Sequence, residues 1–200
     1  MGSDLYLVSE IPPSVNHYLA YRAIMKNGKP MAMSYKTPEA LKYRAEFAKY
    51  VSQEVDKQEW TVPISDNKHI YVDAVFYFPR IDMDSSNYFK VMLDSITDTQ
   101  KIWKDDNVAC ERVQAVFYDR DNPRIELHIH PVDYIGIFKD VSHYDSFMSM
   151  CTECVRSARN CGIRKKAIEG RVQKEVSNDA CREFKHKELK EAKNGKESND

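Results

Sequence analysis

In "HIYVDAVFYFP" the residues Ile70, Val72, Ala74, Phe76 and Phe78 lie on one side of an alternating pattern that stops at Pro79. A period of two is the mark of a strand with one buried face, and a proline, which cannot donate to a ladder, ends it. A few residues later the period changes. Asp84, Ser85 and Ser86 are all good N-cap types, and after them Tyr88, Met92 and Ile96 recur on one helical face, with Phe89 and Leu93 beside it. A strand that runs almost directly into a helix commits the chain to a mixed class. On the polar side of that helix Asn87, Lys90 and Asp94 recur at spacings of three and four and share a face near Asp84.

The other segments fit the same class. "DLYLVSEIPPSVN" reads as a short strand entering a Pro-Pro turn, and "MKNGKP" carries the Asn-Gly signal of a hairpin turn. "TPEALKYRAEFAKYVSQEV" predicts a helix with Thr37 as N-cap, Pro38 in the first turn, and Leu41, Ala45, Ala48, Val51 and Val55 at helical spacing. "ERVQAVFYD" and "RIELHIHPV" alternate on either side of "RDNP" and read as a hairpin, with Cys110 a small buried apolar residue just ahead of the first. Strands and helices that mix without strict alternation predict an α+β fold, a partly antiparallel mixed sheet packed with helices. After about Val132 the alternation ends and the composition turns to Cys, Lys and Glu, so the expected organisation is a domain over 1–132, a Cys-rich helical segment over 133–187 and a charged flexible tail over 188–200. Two hundred residues, 42% of them hydrophobic, supply one core and a small appendage. With no apolar run of eighteen residues and a polar start, neither a membrane span nor a secretory signal is expected, which predicts a soluble, cytoplasmic protein with no membrane partner.

The formal net charge is only −1, but it is unevenly spread. His17–Tyr50 holds seven Lys or Arg against two acids, and Arg156–Lys196 thirteen against six; between them Asp82–Asp106 holds six Asp against three Lys. Basic flanks attract a phosphate backbone, and an acidic centre attracts cations. Aspartates at a strand end, a helix start and the next loop supply hard oxygen ligands of the kind Mg²⁺ takes, with phosphate completing its shell. Two such ions roughly 3.5–4 Å apart clamp both oxygens of a phosphodiester undergoing displacement. The alternative is plain: Asp84 as a helix cap, Asp94 as a surface residue, Asp105 and Asp106 as an ordinary loop, and the basic flanks as solvated helix faces.

"PRIDMDSSNYFKVMLDSITDTQKIWKDDNVACERV" resembles the core of the RusA family of Holliday junction resolvases. "IPPSVNHYL" resembles that family's Pro-Pro-Ser-x-Asn segment, and "RIELHIHPV" its closing strand, so the likeness runs from about Leu5 to Val132. It implies a small homodimeric, Mg²⁺- (or Mn²⁺-) dependent endonuclease of phage or prophage type that nicks four-way DNA junctions in pairs. On the family's pattern Asp84 matches the first Asp, Lys90 the Lys and Asp94 the later Asp, while Asp106 matches the catalytic member of the loop that follows Trp103. The second Asp of the pattern falls on Ser86, and Asp82 restores an Asp-x-Asp spacing with Asp84. The resemblance thus implies Asp84, Asp106, Lys90 and Asp82 as catalytic candidates and Asp84, Asp106, Asp105 and Asp94 as metal ligands. Asn16, Arg22, Lys26, Lys29 and Asn87 are candidate DNA contacts, and His17 a phosphate contact or surface residue. The alternative function is a catalytically weakened relative that binds branched DNA without cutting it.

Cys151, Cys154, Cys161 and Cys181 form a C-x2-C-x6-C-x19-C pattern around a predicted helix spanning 162–177. A reducing cytosol argues against disulfides, and four thiolates would close a structural Zn²⁺ centre. Unliganded reduced thiols and an iron–sulfur cluster are the alternatives.

Overall fold

The computed structural model describes residues 2–65, 68–157, 160–177 and 180–187. The chain divides into two compact units, Met1–Val132 and Asp133–Asp200.

In the first unit, β1 (Leu5–Ser9) is followed by a single helical turn, α1 (Val15–Tyr18), and by the hairpin β2 (Leu19–Lys26) and β3 (Lys29–Lys36). The long α2 (Pro38–Lys57) leads to β4 (Ile70–Phe78), α3 (Phe89–Thr99), β5 (Ala109–Tyr118) and β6 (Arg124–Pro131). Among the described residues the main sheet has the order β1-β6-β4-β5, with β4 parallel to β5 and antiparallel to β6. β4 is therefore central. Its inward row, Ile70 to Phe78, is buried at every second residue, and this row packs in one core with the apolar stripes of α2 (Ala40, Tyr43, Phe47, Val51, Val55) and α3 (Phe89, Val91, Met92, Leu93, Ile96). The expected hairpin of "ERVQAVFYD" with "RIELHIHPV" is corrected, because β5 and β6 lie on opposite edges of β4. The most apolar strand gains a ladder on both sides this way, and the connection crosses its end, where the Asp119 amide donates to the Phe78 carbonyl at 2.8 Å. Asp119 also accepts from the amides of Asp121 and Asn122, shaping a wide turn out of residues that read as a tight one.

Thr37 caps α2 as expected, its hydroxyl oxygen accepting from the Ala40 amide at 3.3 Å. Asn27 and Gly28 both have positive φ, +53° and +73°, the geometry that a two-residue hairpin turn demands. The β2–β3 hairpin forms its own two-stranded sheet and leaves Tyr21 and Met25 about 70% exposed. Cys110, expected to be buried, is half-buried on the edge strand β5.

The second unit holds α4 (Val141–Thr152), α5 (Gly162–Ile168) and two short paired strands, β7 (Val176–Ser177) and β8 (Ala180–Cys181). α4 is capped by Asp140, which accepts from the His143 amide at 2.8 Å; the sequence pattern did not predict this helix. The helix expected over 162–177 stops at Ile168. Gly170 turns the chain at φ +80°, and Val172, placed on its apolar face, is 86% exposed. Gly136 allows a close approach: a Cβ there would stand 2.2 Å from the Ala167 carbonyl oxygen, which accepts from the Ile137 amide. The buried core of this unit is small: Phe138, Phe147, Cys151 and Ala167. The tail expected over 188–200 lies outside the described residues. No helix among the described residues is long and apolar enough to cross a membrane.

Candidate active site

Three pieces of chain set out the acidic centre. After β4 ends at Phe78, Asp84 caps a 3-10 turn, Ser85–Asn87, and only then does α3 begin at Phe89. Asp84 Oδ1 accepts from the Ser86 amide at 3.0 Å and from the Ser86 hydroxyl at 2.9 Å. Its expected capping role is thus met at the turn rather than at the helix. After α3, Gln100 reverses the chain in the left-handed region, and its side chain donates to the Lys104 carbonyl at 3.0 Å. Trp103 is fully buried and donates its indole N–H to the Thr97 hydroxyl at 2.7 Å. That anchor fixes the loop in which Asp105 caps a second 3-10 turn, Asp106–Val108, by accepting from the Asn107 amide at 3.0 Å.

Lys90, in the first turn of α3, joins the helix to the loop that follows it. Its ammonium lies 2.8 Å from Asp94 Oδ1 and 3.1 Å from Asp106 Oδ2. Asp94, chiefly, and then Asp106 hold the Lys90 pKa well above its ordinary value, against partial desolvation. The other oxygen of Asp94 accepts a short hydrogen bond from the Tyr18 hydroxyl and lies 3.6 Å from Arg44 Nη1. Arg44 in turn donates to Tyr18 at 2.9 Å and grips Asp98 with Nε and Nη2. Both oxygens of Asp94 are therefore engaged. Asp106 is half-buried, while Asp84 and Asp105 are exposed, and Asp82 is exposed and paired with Arg80 at 3.0 Å.

The structure brings Lys90, Asp94 and Asp106 into contact; Asp82, Asp84 and Asp105 sit on the turns either side of α3. Three residues of this neighbourhood were missed in the sequence. Tyr18 and Arg44 reach Asp94 from distant elements, and no local spacing announces them. Glu111, at the start of β5, has its carboxyl pKa raised, first by partial desolvation and then by Asp106, against the pull of Lys90. Its position five residues after Asp106 was a signal available in the sequence.

A model of the family described as "Endodeoxyribonuclease RusA" matches residues 11–130, more than half of the chain. The chain belongs to the RusA endodeoxyribonuclease family. RusA proteins are Holliday junction resolving nucleases acting on branched DNA, and nucleases of this kind generally use divalent metal ions. The match takes in the RusA acidic centre from Asp82 to Glu111 and stops before the Cys-rich unit. No curated protein matches the chain.

The DNA-contact candidates of this RusA protein are distributed over the first unit. Lys26 and Lys29 pair directly across the tip of the β2–β3 hairpin, and Arg22 on the same arm lies 5.7 Å from the Tyr35 ring centroid. Asn16 and His17 sit in α1, His17 Nδ1 being 3.2 Å from the Ser14 hydroxyl, and Asn87 closes the 3-10 turn behind Asp84.

On the outer face of the sheet, the ligand atoms of Asp73, His128 and His130 lie within 4.8 Å of one another, the one such group among the described residues. The register explains it, since Asp73 pairs with His128 on β6 and with Arg112 on β5. Asp73 accepts from Arg112 at 2.5 and 2.7 Å, from Gln114 at 2.7 Å, and faces His130 Nε2 at 3.1 Å. Burial opposes its ionisation, but Arg112, His130 and Gln114 hold its carboxyl well below the usual carboxylate range. With its oxygens so occupied, this is an ion-pair network rather than an open metal site. The alternation of His128-x-His130 is visible in the sequence, but its place opposite Asp73 follows from the β4–β6 register.

In the second unit Cys151 and Cys154 are buried, Cys161 and Cys181 half-buried. Burial and the neighbouring thiols push Cys151 up to about 11. At Cys154 backbone N–H groups of Lys185 and Arg156 overcome the effect of burial and lower the pKa.

Proposed function

We propose that this RusA protein is a Mg²⁺- (or Mn²⁺-) dependent endonuclease that resolves four-way DNA junctions by paired phosphodiester hydrolysis, working in the cytoplasm as a homodimer. The observation that carries this reading is the Lys90 ammonium held between Asp94 and Asp106. A cation is fixed between the helix and the loop that follows it, where an attacked phosphate would need it. The donor set suits a hard divalent ion. Asp84 and Asp106 supply carboxylate oxygen, and one or two carboxylates with phosphate oxygen are the usual protein share of a Mg²⁺ shell. When bound, the ion would polarise the phosphate and favour ionisation of an attacking water. Lys90 would neutralise charge developing on the non-bridging oxygens, and Asp94, itself tied to Tyr18 and Arg44, would set the position of Lys90. Asp82 and Asp105 are in reserve, one exposed and one capping a turn. Asn16, Arg22, Lys26, Lys29 and Asn87 are the proposed DNA contacts, and a two-fold dimer would offer two sites to a two-fold junction.

A second reading rests on Ser86. It stands where the family pattern has an Asp, and its hydroxyl is already given to Asp84. Fewer carboxylates weaken metal binding, so the protein would hold junctions while cutting them slowly or not at all. One experiment separates the two. A labelled four-way junction and a linear duplex are incubated with wild type and Asp106→Asn, in Mg²⁺ and in EDTA. The nuclease reading expects symmetric Mg²⁺-dependent nicks in the junction, reduced at least about 100-fold in the variant with binding retained. Tight binding without nicks in the wild type would establish the binding relative.

A further inference from the structure

The family match stops before the Cys-rich unit, and the fold of that unit poses a problem of its own. A core of four buried residues with six partly buried ones packed against it is small, and units of this size commonly need a covalent or metal staple. The four cysteines that sequence spacing grouped come from three separate places: the end of α4, the start of α5 and the strand β8. All four line one cavity of about 20 Å³, room for a single water-sized body.

The backbone around this cavity is arranged as two turns facing each other. Cys154 N–H donates to the Cys151 carbonyl at 3.2 Å, and the Phe184 N–H to the Cys181 carbonyl at 3.0 Å, so a cysteine opens each tight turn. The two turns are tied together: Val155 N–H donates to the Lys185 carbonyl and Lys187 N–H to the Glu153 carbonyl, both at 2.8 Å. Arg156 and Arg164 also line the cavity. Four thiolates around a dication leave two negative charges, beside which stand two guanidiniums, that of Arg156 already paired at 2.8 Å with Glu183 of the same lining.

We propose that Cys151, Cys154, Cys161 and Cys181 bind one structural Zn²⁺, which closes this unit on itself. Zinc takes four thiolates tetrahedrally at about 2.3 Å and leaves no open position, so the centre is structural and takes no part in catalysis. Among the described residues no three of these sulfurs all lie within 4.8 Å of one another, so four Zn–S bonds of about 2.3 Å require the sulfurs to move closer together. Cys110, on β5 in the other unit, takes no part.

The test uses the full-length protein purified without chelator. Elemental analysis is expected to give one zinc per chain, and Co²⁺ exchange to give the intense thiolate-to-metal absorption and visible bands of a tetrahedral sulfur site. Cys181→Ser is expected to weaken metal retention by at least tenfold, whereas Cys110→Ser keeps one zinc per chain. Should Cys181→Ser fail to fold, thiol titration of the native wild type decides. Zinc ligation protects four thiols until a chelator releases the ion, with one zinc appearing for every four thiols. Five freely reactive thiols and no stoichiometric zinc would overturn the proposal, as would iron with acid-labile sulfide in place of zinc. None of these readouts depends on junction cleavage, so the metal centre and the nuclease reading can fail separately.

Discussion

Lys90 ties two carboxylates that belong to different stretches of chain, and its ionisation is the first property this arrangement changes. Because Asp94 and Asp106 raise its pKa, Lys90 stays charged well into the alkaline range. A pH profile of junction cleavage should therefore show no loss from this lysine below about pH 10, near where an unperturbed lysine would already be half neutral. Asp73 gives the opposite sign. Its pKa is depressed from 3.8 in the folded state, so its contribution to stability is complete above the ordinary carboxylate range and is lost only as pH falls through its lowered value. Asp73→Ala, which leaves Arg112 without its bidentate partner, is expected to cost about 1–3 kcal/mol at neutral pH, read as a lower urea midpoint. That difference from wild type should shrink in strong acid. The Lys90–Asp94 contact was legible, because a spacing of four places both residues on one face of α3. Tyr18 and Arg44 were not, because they reach Asp94 from elements far away in the chain, and a single sequence carries no record of such pairs.

At the scale of elements, Trp103 connects packing to chemistry. Its indole is buried and bonded to Thr97 in α3, so the loop bearing Asp105 and Asp106 is pinned to the helix bearing Lys90. Trp103→Ala is expected to destabilise the first unit by about 3–5 kcal/mol. Trp103→Phe should cost less in stability, and any further fall in its cleavage rate would measure the precision with which Asp106 is held. Period and capping made α2, α3, β4 and the β2–β3 turn readable, since each is specified by residues within a single window. The pairing of β5 and β6 was not readable, because "RDNP" suits a tight turn equally well and the choice was made by β4 needing partners on both edges. The helix expected over 162–177 failed for the converse reason: Gly170 ends it, although Val172 and Val176 keep the spacing beyond.

For the molecule as a whole, charge distribution rather than net charge governs encounter with DNA. Lys26 and Lys29 meet at the tip of a solvent-exposed arm, where two phosphates could be engaged at once. Junction affinity should fall steeply with added salt, and replacing both lysines by alanine should reduce the slope of log affinity against log salt by about two. Loss of affinity with an unchanged slope would remove these residues from the interface. The sheet order has a consequence of a different kind, for how the protein is made. β6, the last strand of its unit to leave the ribosome, is an interior strand that separates β1 from β4. At ordinary rates of translation the nascent chain spends on the order of several seconds with β4 synthesised and its neighbour absent. During that interval β4 has an open edge, and β1 has no strand to pair with. A nascent chain arrested before residue 131 would therefore carry every residue of the acidic centre and still be a client for chaperones rather than a nuclease.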